Sequence, residues 1–127
     1  VPLLAGLDDR VRRRLAERGK RRTYGAEETI VTEGSTGTAF YIVLSGRARV
    51  ERAGEVLGHV SNGDFFGELA LIEEHPRSAS VIATEETDCL LFAAWEFTAL
   101  LEEHPQLAMP IMKVLIGRIH RREHHGA

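Results

Sequence analysis

Cysteine is nearly missing from this sequence: Cys89 is the only one in 127 residues. No internal disulfide can form and no four-thiolate zinc site can exist, and the apolar setting of Cys89 fits a reducing compartment. Long hydrophobic runs are missing as well. No segment reaches the roughly 18 apolar residues that a bilayer crossing needs, and no secretory signal pattern opens the chain. The expectation is a soluble, cytoplasmic domain without membrane contact. Neither charge sign dominates, since 16 Lys+Arg against 19 Asp+Glu leave a net charge of -3 and a pI near 6.1. That balance does not point to wholesale nucleic-acid binding. Internal repeats and low-complexity segments are also lacking.

What is present suits one compact domain. A chain of 127 residues can bury a real core but is too short for two domains, and 43% hydrophobic with 28% charged residues is ordinary for a globular protein. The sequence opens at Val1 rather than methionine, as a piece excised from a longer polypeptide would. An output domain is therefore expected outside it.

Three zones follow from the patterning: a helix in 1–19, strands in 20–94 and helices in 95–127. Asp8 or Asp9 can cap a first helix with Val11 and Leu15 four apart, ended by Gly19. Short β-branched and aromatic runs follow at 29–32, 39–44, 47–52, 55–60, 79–83 and 89–93, punctuated by glycine turns such as Ser45-Gly46, Ala53-Gly54 and Asn62-Gly63-Asp64. Alternation in Ala48, Val50 and then Val56, Gly58, Val60 predicts strands with one face on a core. The fold class is mainly β with flanking helices: a jelly-roll-like β-roll of about seven or eight strands. Past Ala94 the period lengthens to a helix around Trp95, Phe97, Leu100 and Leu101 and a last helix from Pro105 to about Glu123. Its stripe is Ala108, Ile111, Met112, Leu115 and Ile119, widened by Leu107, Val114 and Ile116. So wide a surface suits two apolar contacts, with the roll and with a second chain as a parallel helix dimer; the plain alternative is packing on its own roll alone. Pro110 removes a bond to the Gln106 carbonyl, so the helix should kink or restart there, a candidate hinge.

Residues 62–81, NGDFFGELALIEEHPRSASV, carry the chemistry. Phe65-Phe66 reads as a short strand, and Gly67 lets the backbone swing into one helical turn over 68–72. That turn presents unpaired N–H groups to an anion. Arg77 adds a planar fork of donors and Ser78 a hydroxyl, so a phosphate can be held. Glu68 is out of place beside a phosphate unless it takes another part of the ligand. A carboxylate accepts, and sugar hydroxyls donate. An anionic ring with an adjacent ribose fits both. The plain alternative is a structural ion pair between Glu68 and Arg77.

This stretch closely resembles the phosphate-binding cassette of the cyclic-nucleotide-binding domain family, of the catabolite activator and cAMP-dependent kinase regulatory subunit type. Phe66-Gly67-Glu68-Leu69-Ala70-Leu71 and Pro76-Arg77-Ser78-Ala79-Ser80-Val81 follow the cassette almost letter for letter, and 40–46 and 62–65 extend the likeness. The resemblance implies that Arg77 pairs with the cyclic phosphate and Glu68 with the ribose 2'-hydroxyl. Amides of Gly67, Leu69 and Ala79 make phosphate or sugar contacts, with Ala70 in the same turn. Ser78 reaches the phosphate and suits cAMP or cGMP, Leu57 and Gly58 line the base and ribose, and Val81 touches the base. In the last helix Arg118 matches an arginine that approaches the ligand. Arg122 and Glu123 stand where the best-known bacterial pattern has a threonine and a serine, and Arg122 or His120 is placed to stack on the purine. The implied function is a non-catalytic regulatory module that binds cAMP first, or cGMP, needs no metal, and relays occupancy through its last helices. The alternative from another class is a structural or dimerisation β-roll whose pocket is unused.

Other features read more plainly. Eight basic residues between Arg10 and Arg22 form a solvated helix face, with no groove-reading helix after them. His120 and His124 have metal-ligand spacing but sit on a terminal tail. His59, Ser61 and Asp64 lack a nucleophile elbow.

Overall fold

The structure, a computed structural model, describes residues 7–68 and 76–124, with side chains through residue 117. Helix α1 (Asp9–Arg18) starts where the Asp8 carboxylate accepts the Val11 amide at 3.0 Å and ends where the Gly19 N–H donates to the Leu15 carbonyl at 2.9 Å. Eight strands follow: β1 (Lys20–Tyr24), β2 (Thr29–Val31), β3 (Ala39–Ser45), β4 (Arg47–Arg52), β5 (Glu55–Ser61), β6 (Phe65–Phe66), β7 (Ser80–Ala83) and β8 (Thr87–Ala93). Helix α2 (Ala94–Glu103), a 3-10 turn (Pro105–Leu107) and helix α3 (Ala108–His124) complete the order. The expected roll with flanking helices is what forms.

Two four-stranded antiparallel sheets face each other, ordered β1-β8-β3-β6 and β2-β7-β4-β5. β3 explains its own composition. Phe40 and Ile42 point to the helices, into a cluster with Val11, Leu15, Phe92, Phe97 and Leu100, while Tyr41 and Val43 point to the second sheet, with Val60, Phe66, Val81 and Cys89. A strand covered on both faces must be apolar throughout, which is why 39–44 shows no alternation. β4 is less covered: only Ala48 is buried, Arg49 to Glu51 are half-buried, and Arg47 and Arg52 at its ends are exposed.

Strand β1 was not expected as a separate element, because Lys-Arg-Arg-Thr-Tyr buries only Tyr24. Backbone pairing with β8 holds it, and Arg21 and Thr23 both donate to the Asp88 carboxylate, at 2.6 and 2.5 Å. The last helix also differs from the single element expected from Pro105. The 3-10 turn comes first, and Pro110 falls in the opening turn of α3, where an amide has no intrahelical partner to lose. The core face consists of Leu107 and Ile111 with Val114 and Leu115 packed against them, whereas Met112, expected in that stripe, is 51% exposed. Ile119 lies outside the side chains described. Among the described residues no helix is long and apolar enough to cross a membrane.

Candidate functional site

The site begins with how Arg77 is held. Its N–H donates to the Ser35 carbonyl and its own carbonyl accepts from the Gly34 N–H, both at 2.8 Å, so the residue is docked on the loop between β2 and β3. A bridge between Thr36 and Pro76 continues that docking. With its backbone anchored, the half-buried side chain runs along the start of β3. Nη2 donates to the Ala39 carbonyl at 2.9 Å, and the guanidinium carbon lies 5.8 Å from the centre of the Tyr41 ring. Tyr41 in turn stacks on Phe66, centres 4.7 Å apart and planes 7° apart. Burial pushes the Tyr41 phenol above its ordinary range, with Arg77 opposing. The ring is therefore a neutral wall against the cation.

Two glycines make room for this arginine. A Cβ on Gly37 would come 2.7 Å from Nη2, and one on Gly67 would come 2.8 Å from Nη1 and 2.7 Å from the Ala39 carbonyl. Gly67 also has φ +83, a left-handed conformation in which other residues are strained. The register between Tyr41 and Phe66 fixes where that turn falls, and helical geometry starts at Glu68. Sequence reading foresaw Gly67 but missed Gly37, Tyr41 and the Ala39 carbonyl. Gly37 carries no local signal, since only the fold brings Arg77 to it.

The structure brings Gly67, Glu68, Arg77, Ser78 and Ala79 into one region. Glu68 is half-buried, and among the described residues no ion pair joins it to Arg77. The structural ion-pair reading therefore has no support there. Leu69 and Ala70 lie outside the described residues. Ser78 is exposed, and its carbonyl accepts from Arg52 Nε at 2.9 Å. Ser80 braces the loop before β3, since its Oγ accepts the Glu33 amide at 2.9 Å.

The strand contacts are set by β4. Val50 pairs with Gly58 on one side and Val81 on the other, and Glu51 pairs with Val56, which leaves Leu57 as the extra residue of a bulge. A bulge re-aims a side chain, and Leu57 is 52% exposed. Val81 is 4% exposed and packs in the core between the sheets. Arg118 and Arg122 belong to α3, but their side chains lie outside those described, as does that of His120. Among the described residues no cluster of His, Cys, Asp and Glu suits a metal ion. The assembled groups can take an anion on Arg77 and neighbouring amides.

Known proteins resemble this chain in sequence and fold. The cyclic nucleotide-binding domain family matches residues 21–104. A cAMP-dependent protein kinase regulatory subunit from Colletotrichum orbiculare is 38% identical over 103 residues, covering 80% of this chain and 26% of its own length. Thermus thermophilus catabolite activator protein superposes with a TM-score of 0.87 at 30% identity, covering 98% of this chain and 61% of that one. The cAMP-bound PfPKA-R superposes at 0.77 and 28% identity, covering 95% of this chain and 40% of its own. The chain thus spans about a quarter of such a kinase regulatory subunit. The match of two thirds of the sequence and the shared roll agree with the glycine-cradled arginine beside Gly67-Glu68, and on these grounds the chain belongs to the cyclic nucleotide-binding domain family.

Proposed function

We propose that this domain is a non-catalytic regulatory module that binds a cyclic nucleotide, cAMP first and cGMP second, and passes occupancy to its C-terminal helices. The observation that carries the reading is the cradle of Arg77. A half-buried guanidinium docked between two glycines, with no ion pair among the described residues, is a cation held ready for an anion. The cyclic phosphate takes Arg77, Ser78 and the amides of Gly67, Leu69 and Ala79. Glu68 takes the ribose 2'-hydroxyl, because a carboxylate can only accept. Leu57, Gly58 and Val81 border the base and ribose, Ala70 completes the phosphate turn, and Arg118 and Arg122 approach the base from α3. No metal enters this scheme.

Binding biases an output only if the ligand prefers one of two conformations. β3 offers a mechanical connection, since Tyr41 lies against Arg77 while the preceding residue, Phe40, meets Phe97 of α2 in a tilted ring contact with centres 4.3 Å apart. Helices from Trp95 to Arg122 form the moving part, with the restart before Pro110 as the hinge. The exposed stripe of Met109, Met112 and Ile116 on α3 supports a homodimer through that helix, and the output lies in a domain beyond this chain.

Titration with cAMP is expected to show saturable binding, and Arg77→Ala to weaken it by at least about tenfold, the worth of one charge-assisted hydrogen bond. Equal affinity in that variant sinks the assignment. If neither cAMP nor cGMP binds, the structural and dimerisation reading of the roll takes its place.

A further inference from the structure

Arg52 has no part in the family resemblance, yet it touches the centre of the proposed phosphate site. It is the last residue of β4, and its Nε donates to the Ser78 carbonyl at 2.9 Å. The Ser78 carbonyl and the Ala79 amide belong to one peptide group, and among the described residues no peptide bond is cis. In a trans peptide the C=O and N–H point in opposite directions. Fixing the carbonyl against β4 therefore fixes the Ala79 N–H on the other side of the segment. A guanidinium on the carbonyl also polarises the peptide and makes its N–H a stronger donor.

Neighbouring contacts hold both partners in place. The turn after Arg52 has left-handed residues at Ala53 (φ 52) and Gly54 (φ 80), as a tight two-residue hairpin requires. The Ala53 N–H donates to Glu33 Oε1 at 2.9 Å, and the Glu33 N–H donates to Ser80 Oγ at 2.9 Å. Glu33 thus ties the hairpin tip to the residue after Ala79, while Arg52 ties β4 to the residue before it. Ala79 is suspended between two fixed points.

We infer that Arg52 is a positioning residue for anion binding, which orients and strengthens the Ala79 amide without touching the ligand. This role rests on the cyclic-nucleotide reading of the site. The test uses Arg52→Ala and Arg52→Lys in the whole domain, followed by the 15N–1H resonance of Ala79 without ligand and by titration with cAMP and its two exocyclic phosphorothioate diastereomers. Arg52→Ala is expected to move the Ala79 resonance and weaken cAMP binding about 3- to 10-fold, the range of one ordinary hydrogen bond. Arg52→Lys, which keeps a charged donor, recovers binding. The affinity penalty of one diastereomer shrinks in Arg52→Ala and that of the other does not, because sulfur then disturbs an amide contact that is already weak. An unmoved Ala79 resonance, unchanged cAMP affinity, or equal penalties for both diastereomers in wild type and variant overturns the inference. Should wild type bind no cyclic nucleotide, the functional reading falls, and the Ala79 resonance alone still decides whether Arg52 sets that peptide.

Discussion

Cys89 and Tyr24 show what burial does to single groups here. Both lie between the sheets, and burial pushes the Cys89 thiol up to about 12, with the Asp88 carboxylate adding to the rise. Burial likewise raises the Tyr24 phenol to about 12. An unfolded cysteine ionises near about 8.5, so at higher pH the unfolded state releases a proton that the folded state retains. The stability that the neutral thiol preserves is complete below that pH and is lost as pH rises through about 12. Chemical denaturation at stepped pH is expected to show stability falling above pH ~8.5, less steeply in Cys89→Ala than in wild type. Identical slopes contradict the assignment. Sequence revealed Cys89 as single and in apolar company, but not that its strand is covered on both faces. Arg77 is the opposite case. Its role was legible from Pro76-Arg77-Ser78, yet the reason it stays available lies in Gly37 and Gly67, which no local pattern connects to it.

Among elements, the hairpin of β4 and β5 departs furthest from local preference. Its turn places Ala53 in the left-handed region, where asparagine, aspartate or glycine is favoured and other residues lose roughly 1–2 kcal/mol. Ala53→Asn is therefore expected to raise stability by about 0.5–1 kcal/mol, measured as a shifted urea midpoint at unchanged slope. A decrease would mean that the Glu33 contact to the Ala53 amide depends on the alanine. The position of this turn was readable from Ala53-Gly54 between two alternating runs. The bulge at Leu57 was not, because it arises from β5 pairing with a neighbour that is itself paired with β7. Helix α3 teaches a similar lesson. Its apolar residues were legible, but which of them meet the core was not: Leu107 and Ile111 are buried, whereas Met112 is exposed.

For the whole molecule, the site and the helices lie on opposite faces of one sheet, joined through Tyr41 and Phe40. A ligand at 100 times its dissociation constant adds about 2.7 kcal/mol of stability. If occupancy is relayed as proposed, saturating cAMP is expected to alter amide exchange in α2 and α3 as well as around Gly67 and Arg77. Changes confined to the site, with none beyond Ala94, sink the relay while leaving binding intact.

The sequence by itself determined the class of the fold, the cap and stop of α1, most strands, the glycine turns and the two-part cassette of Gly67-Glu68 and Arg77-Ser78. Those features depend on neighbours within a few residues, through capping, alternation and turn chemistry. Only the tertiary structure decided that β1 exists, which face of α3 is buried, that Leu57 bulges outward, and that Arg52 grips the Ser78 carbonyl. Each of these depends on residues far apart in the chain becoming neighbours, and a backbone hydrogen bond or a packed face leaves no trace in the sequence of either partner alone.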